Sequence, residues 1–516
     1  MRRVQHFVRS GILRAVALAA LCLAGRVAWA GTVNAVWNSA SDVPVTANGY
    51  TATGNTVSFT LNFAPATGTD LMVVSNTALG FIDGTFDNLT NGQPVAFRKG
   101  TTTYNFVANY FGGSGNDLVL VWANNQAFAW GDNESGQLGN NTWSWGVVPV
   151  AVNTGSNLSA LYGQSVVAIA AGHLHSLALC ADGTVAAWGA NTVGELGDNH
   201  GGNYNSQSPV PVGVNTNSGV SALQGKTVVA IAAGWSHSLA LCADGTVAAW
   251  GNNNYGQVGD NTKTNRLAPV AVDTSTNSAL YGKTVVAIAA GSFHNLALCS
   301  DGSLAAWGYN SSGQLGDNTT TNRLVPVAVN SGTNSALYGR TVVAIGAGRE
   351  HSVAFCSDGT MGGGDDFNGA LGDNNWTNRS VPVAVYTSHV PTGRRFTRVL
   401  SGPTADHTLA LEVIPFACDI TLMGARKLAD GSFQFTFTNT PGALFTVLGT
   451  TNPALPCSNL IPLNWVGEVS PGQFQFTEPR CGAPIQRFYR IRSPLRAREE
   501  GRMLKRGGNC GLRIAD

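Results

Sequence analysis

From about residue 127 to 412 the chain alternates short aliphatic and β-branched runs with clusters of Gly, Asn, Asp and Thr. One complete stretch reads Val228–Gly234 (VVAIAAG), His237–Cys242 (HSLALC), Ala243–Thr246 (ADGT), Val247–Gly251 (VAAWG), Gly256–Asp260 (GQVGD) and Ala268–Val272 (APVAV). Runs of this length, bounded by turn formers, predict strands buried on both faces. The Asp-Gly pairs at 182–183, 244–245, 301–302 and 358–359 supply the positive φ that tight hairpins require. Pro149, Pro269, Pro326 and Pro382 fall where a strand begins or lies at an edge, because a central ladder cannot spare the donor.

The stretch recurs with a period of about 57 residues. His175, His237, His294, His351 and His407 are 62, 57, 57 and 56 apart, and Trp130, Trp188, Trp250 and Trp307 are 58, 62 and 57 apart. Four short antiparallel strands per period predict a propeller blade. The array ends in complementary fragments. Residues 127–152 carry the Trp-Gly and Pro149 strands without the His strands, and residues 396–412 carry the His strands and stop. Half, four and half give an all-β, five-bladed propeller of four-stranded blades, flanked by N- and C-terminal β modules.

The phrases Ala-Gly-x-x-His-Ser-Leu-Ala-Leu, Asp-Gly-Thr-Val-Ala-Ala-Trp-Gly and Gly-Gln-Leu-Gly-Asp-Asn-Thr, repeated in that order, resemble the regulator of chromosome condensation repeat. The resemblance covers residues 123–412 and implies a propeller. Its best-known members have seven blades, so five here implies a smaller ring, the alternative being further blades in the flanks. Secreted inhibitors of β-lactamase with a similar repeat class imply that such a ring can grip an enzyme. The namesake's nucleotide-exchange activity requires a nuclear GTPase and a protruding hairpin wedge, and no such wedge is visible in the sequence.

Around the array, residues 1–30 read as a signal peptide, with Arg2, Arg3 and Arg9 before the apolar stretch Ala15–Ala24 and with Ala28-Trp29-Ala30 before Gly31. That stretch is short of the roughly 20 residues that a membrane span needs, so no span is expected. Residues 31–122 are expected to form an antiparallel β module resembling those of bacterial surface proteins. Its single Gly-Gly-x-Gly-x-Asp run (Gly112–Asp117) reads as a turn rather than a calcium site. Residues 413–495 read as a β-sandwich of immunoglobulin or fibronectin type, in which Cys457 and Cys481 could pair in an oxidising compartment. Residues 496–516 are expected to be a disordered basic tail.

Only 11% of residues are charged, and 30 Lys and Arg balance 29 Asp and Glu. No electrostatic footprint points to nucleic acid. Histidines phased one per blade cannot converge on a metal, so each is expected to hydrogen-bond a neighbouring loop carbonyl. Cys180, Cys242, Cys299 and Cys356 read as buried thiols and the phased tryptophans as packing residues. Glu412 holds the fifth cysteine-equivalent position, for which the sequence offers no reason. No nucleophile elbow, phosphate loop, His-Glu-x-x-His or paired CxxC occurs, so neither an enzyme, a cofactor nor a resident metal is expected.

What every blade shares maintains the blade, and what differs can select a partner. The variable pairs inside Gly-x-x-His should cluster on one rim, making His173, Trp235, Phe293, Arg349 and Glu350 the candidate partner-binding residues. Tyr162, Tyr281 and Tyr338 recur in the connections between blades and are expected to pack. The leading reading is a secreted, non-catalytic scaffold that binds a protein or a glycan. A structural or adhesive cell-surface component is second, and a polysaccharide-active enzyme third.

Overall fold

Short strands bounded by glycine and asparagine turns build the whole molecule. The computed structural model describes residues 31–516 except 124, 204–205, 359–360, 364–368, 389–394, 401, 414–420, 428–432, 439–445, 451–460, 466, 471–472, 479–487, 493–510 and 514–516. The expected signal peptide, Cys457, Cys481 and most of the expected tail therefore lie outside the described residues. The chain forms two compact units, one of residues 1–252 with 264–272 and 283–287, the other of 253–263, 273–282 and 288–516.

The first unit opens with β1 (Thr32–Trp37), β2 (Val45–Ala47), β3 (Thr56–Leu61), β4 (Leu71–Asn76), β5 (Pro94–Lys99), β6 (Thr102–Gly112) and β7 (Asp117–Trp122). The antiparallel expectation holds for the run β4-β7-β6-β5. It fails for β1, which lies parallel to β3, and for β2, which lies parallel to β4. The chain coils once and lays like on like. Thr32 and Thr56 share a hydroxyl contact of 2.9 Å, and Asn62 Nδ2 donates to Asn38 Oδ1 at 2.8 Å. Trp37, Phe86, Phe106 and Tyr110 fill the core beneath. The single Gly-Gly-x-Gly-x-Asp run is a turn, in which the Asp117 carboxylate accepts from the backbone N–H groups of Asn76 and Ser114 at 2.7 and 2.8 Å.

Two four-stranded antiparallel repeat sheets follow in this unit. One is Val166–Ala171, His175–Cys180, Val185–Gly189 and Ser208–Gly213, and the next is Val228–Ala233, His237–Cys242, Val247–Gly251 and Arg266–Ala271. Their second and third strands are buried almost throughout, as runs without polar alternation require. The prolines sit on the outermost strands, where a carbonyl is capped by the preceding connection: Ala160 N–H donates to Pro211 O and Ala222 N–H to Pro269 O, both at 2.9 Å. That contact closes an edge otherwise open to pairing.

Sheets within the unit are pinned through one shared acceptor. The Glu195 carbonyl in the Gly194–Gly197 turn receives Trp250 Nε1–H at 2.8 Å and the Ser238 hydroxyl at 2.9 Å, both from the following sheet. The Gln137 carbonyl receives Trp188 Nε1–H and Ser176 in the same way. His175 completes the joint, its Nε2 lying 2.9 Å from Ser238 Oγ. Because Ser238 has one proton and directs it at a carbonyl, the imidazole Nε2–H is the donor. Nδ1 is then the acceptor nitrogen of the ring and is buried without a hydrogen-bond partner. The histidine thus reaches a hydroxyl of the next sheet and not, as expected, a loop carbonyl. The glycine of Gly-x-x-His follows from this packing, since a Cβ at Gly172 would lie 2.3 Å from His175 Cε1 and 2.7 Å from Gly234 O.

The second unit repeats the design. Its sheets hold His294–Cys299, Leu304–Gly308 and Arg323–Ala328, then Val342–Ala347, Ser352–Cys356, Met361–Gly363 and Val383–Ala384, and the strand Val285–Ala290 spans the division between the units. Trp307 Nε1–H and Asn295 Nδ2–H share the Gln257 carbonyl at 3.0 and 2.7 Å. Ser352 bridges His294 to Gln314 O, and Thr408 bridges His351 to Ala370 O. The last sheet has short third and fourth strands, where Met361-Gly362-Gly363 replaces the Trp-Gly strand. Beyond it lie two four-stranded antiparallel sheets, the content expected of a sandwich. One is Thr421–Lys427, Phe433–Thr438, Gln473–Glu478 and Gly467–Ser470, the other Ile461–Trp465, Thr446–Thr450, Phe488–Arg492 and Gly511–Arg513. The last of these strands lies in the tail expected to be disordered and pairs with Phe488–Arg492.

The fragments that end the array are each two-stranded, Phe128–Gly131 with Gly146–Ala151 and Arg395–Leu400 with Leu409–Val413.

Burial holds His175 neutral down to about pH 3 and His351 down to about 4. The unfolded chain takes up these protons near 6.5, so their contribution is complete above that pH and is lost as pH falls from 6.5 toward 4. At pH 5 the loss should reach about 2 kcal/mol per histidine. Denaturant midpoints at pH 7 and pH 5 check this, and a His175→Gln variant should show the smaller drop.

Candidate functional site

In each antiparallel repeat sheet the connection between strands one and two leaves from the same end as that between strands three and four. Backbone bonds join the two: Ala190 N–H to Leu174 O at 2.8 Å, Asn252 N–H to Ser236 O at 2.8 Å and Tyr309 N–H to Phe293 O at 2.9 Å. Both sets of variable loops therefore meet at one end of the sheets. The opposite end carries the Asp-Gly turns, where Asp182, Asp244 and Asp301 cap their own Thr or Ser.

The Gly-x-x-His pairs are linked by backbone from sheet to sheet. In the first unit His173 N–H donates to Trp235 O at 3.3 Å. In the second, Ser292 N–H donates to Arg349 O at 3.2 Å and Arg349 N–H to Ala405 O at 2.8 Å. First-position residues are thereby fixed side by side. His173 stacks on Trp235 with ring centroids 3.8 Å apart and planes 14° off parallel. This cover lowers the His173 pKa, with Asp132 pulling weakly the other way. Arg349 Nη1 lies 3.5 Å from Asp406 Oδ2 in an exposed pair, a contact of small energetic weight.

The second positions serve differently. Phe293 joins Tyr255 and Tyr309 in an aromatic cluster, with centroids 5.6 Å from Tyr255 and 6.3 Å from Tyr309, and the two tyrosines are 4.8 Å apart. Glu350 holds the position equivalent to Phe293 and is half-buried. The candidates thus fall into local groups, His173 with Trp235, Phe293 with two tyrosines, and Arg349 with Asp406.

Sequence reasoning missed Tyr255 and Tyr309, which lie in the third-to-fourth-strand loops, where only the shared glycines drew notice. It also missed the buried Asn after each Trp-Gly-x. Asn310 Nδ2 holds Thr319 O and Thr321 O at 3.1 Å, and Asn310 Oδ1 accepts Leu315 N–H at 2.9 Å. Asn133 and Asn191 do the same in their loops. Glu195 stands where other units have Gln. It is buried, its pKa raised by that burial, and it accepts the Val193 N–H at 2.8 Å as the glutamines do.

Two expectations fail here. Tyr162, Tyr281 and Tyr338 are exposed rather than packed, because their Leu-Tyr-Gly turns bury the leucine and direct the next side chain outward. Trp130, in a two-stranded sheet, is 65% exposed, although its equivalents Trp188, Trp250 and Trp307 are buried. A cleft of about 520 Å³ beside it is lined by Trp130, Asp132, Ile169 and His173. Cys180, Cys242, Cys299 and Cys356 are buried thiols, and burial pushes those of Cys180 and Cys242 up to about 11. Such thiols are inert at neutral pH.

The RCC1-like domain family matches residues 75–413, and the chain belongs to that family. Its fold is an all-β, RCC1-like propeller of four-stranded antiparallel sheets. The match begins inside β4, upstream of the first repeat sheet. The chain is 33% identical over 224 residues to the ultraviolet-B receptor UVR8 of Arabidopsis thaliana, covering 43% of this chain and 46% of the receptor. It is 33% identical over 256 residues to the probable E3 ubiquitin-protein ligase HERC6 of Homo sapiens, covering 49% of this chain and 23% of the ligase. The chain thus spans less than half the length of these curated relatives. Among solved structures, yeast RCC1 (Prp20) bound to Kap60 is similar, with a TM-score of 0.45 and 20% identity over 72% of this chain and 78% of that one.

Replacing Trp235 with Ala removes the ring that covers His173, so the His173 pKa should rise toward its ordinary value near 6.5. Titration of its imidazole resonances by NMR checks this, and an unchanged pKa would show that the stack does not persist in solution.

Proposed function

We propose that the protein is a non-catalytic binding scaffold that takes a macromolecular partner on the loop end of its propeller. The observation that carries this reading is the set of aromatic and arginine side chains held at neighbouring variable positions by backbone hydrogen bonds. Large aromatic and Arg anchors on a rigid frame are the usual centres of protein interfaces. Their mixture with the Arg349–Asp406 pair favours a protein over a glycan at these positions. The protein is further read as exported, on the character of residues 1–30.

The array is read as five blades, on four full repeats and two complementary end fragments at a period of about 57 residues. In a closed ring Trp130→Ala removes a core side chain and should cost about 3–5 kcal/mol. A solvent-exposed tryptophan would cost under about 0.5. Chemical denaturation distinguishes them.

The functional test is retention of a partner from culture supernatant by the immobilised full chain. The Trp235→Ala, Arg349→Ala double variant should lose that partner while unfolding at the parent's midpoint. Equal recovery by both proteins would count against the rim.

A further inference from the structure

The loop that joins Phe128–Gly131 to Gly146–Ala151 carries two tryptophans, of which Trp145 stands where later repeats have Asn265, Asn322 and Asn378. Trp143 is 49% exposed and Trp145 64%. The exposure of Trp143 does not arise from the two-stranded sheet beneath it. Its equivalents in complete units, Lys263, Thr320 and Trp376, are exposed as well. The position faces solvent in those three units, and here it holds an indole.

The loop is also fixed before anything binds. Buried Asn133 donates through Nδ2 to Thr142 O at 2.8 Å and to Ser144 O at 3.0 Å, the carbonyls on either side of Trp143. Asn140 Oδ1 accepts the Thr142 N–H and hydroxyl at 3.2 and 2.8 Å, and Asn141 N–H reaches Pro209 O at 2.8 Å. Asn141 sits at φ 62°, in the left-handed region that asparagine tolerates. A loop pinned at four points presents its indoles with little ordering left to occur on binding.

Charge decides the class of ligand. In other units the ends of this loop are an ion pair, Asp317 with Arg323 at 2.7 Å and Asp373 with Arg379 at 3.2 Å. Here Asn140 and Gly146 replace both members, and residues 140–146 (Asn-Asn-Thr-Trp-Ser-Trp-Gly) contain no ionisable group. An anionic or cationic ligand finds no counter-charge in this segment. What it offers is indole faces among amides and hydroxyls. Indole faces complement the C–H faces of pyranose rings, and amides and hydroxyls complement sugar hydroxyls.

We propose that residues 140–146 bind an uncharged polysaccharide, with sugar rings stacked on Trp143 and Trp145. This site uses residues other than the His173–Trp235 pair and does not depend on a protein partner being bound there.

The full chain would be run in native gels cast with laminarin, hydroxyethylcellulose, amylopectin or the anionic polygalacturonate. At least one neutral polysaccharide should retard it, and the Trp143→Ala, Trp145→Ala double variant should weaken that retardation about tenfold or more in apparent Kd. Phe at both positions should restore part of it. Trp235→Ala should migrate like the parent, so failure of the rim and failure of this loop are read separately. Absence of retardation in all three neutral gels would overturn the proposal. So would retardation only by polygalacturonate, retardation that survives the double variant, or loop-dependent sedimentation with phosphatidylcholine vesicles in its place. The substituted residues are exposed, and an unchanged thermal transition will show that the variants fold.

Discussion

One carbonyl oxygen per turn holds neighbouring repeat sheets together within each unit. Gln137, Glu195 and Gln257 each offer theirs to an indole N–H and to a hydroxyl or amide of the following sheet. Two donors on one buried acceptor fix both the spacing and the rotation between sheets, because neither can move without leaving a polar group unpaired. The histidine closes the arrangement by donating to the hydroxyl, and burial keeps its ring neutral. The tryptophan, the glycine under the imidazole and the residue after each histidine therefore form one joint rather than separate packing choices.

That joint frees the rest. Since sheet-to-sheet geometry is set by phased residues, the two positions between Gly and His are linked mainly through their backbone, with buried Ser292 also donating its hydroxyl to Pro403 O. Side chains can then vary from unit to unit without disturbing the frame. The same separation holds in the neighbouring loops, where a buried Asn fixes the backbone while residues such as Tyr255 and Trp143 face outward.

Where the joint lacks a partner the structure changes in step. Trp130 belongs to a two-stranded sheet and is exposed, and Met361-Gly362-Gly363 leaves the last full repeat with shortened outer strands. Stability should be lowest there, since a repeat array is stabilised sheet by sheet through contacts with its neighbours.

Much of this was legible from residues alone. The phase of His175, His237, His294 and His351, the Asp-Gly turns and the edge prolines determined the strands, their order within each repeat and the end at which the variable loops meet. These depend on local φ, on the missing proline donor and on a pattern that repeats about every 57 residues. The parallel pairing of β1 with β3 was not legible, because Thr-Val-Asn-Ala-Val-Trp reads the same beside a neighbour of either direction. Nor was the outward turn of Tyr162, Tyr281 and Tyr338, since recurrence marks a repeated environment without saying whether it is inside. Only the tertiary structure decided that His173 meets Trp235, that Phe293 meets Tyr255 and Tyr309, and that each imidazole reaches a hydroxyl one sheet away. Those contacts join residues from different repeats, and no local preference of the chain encodes a distance between them.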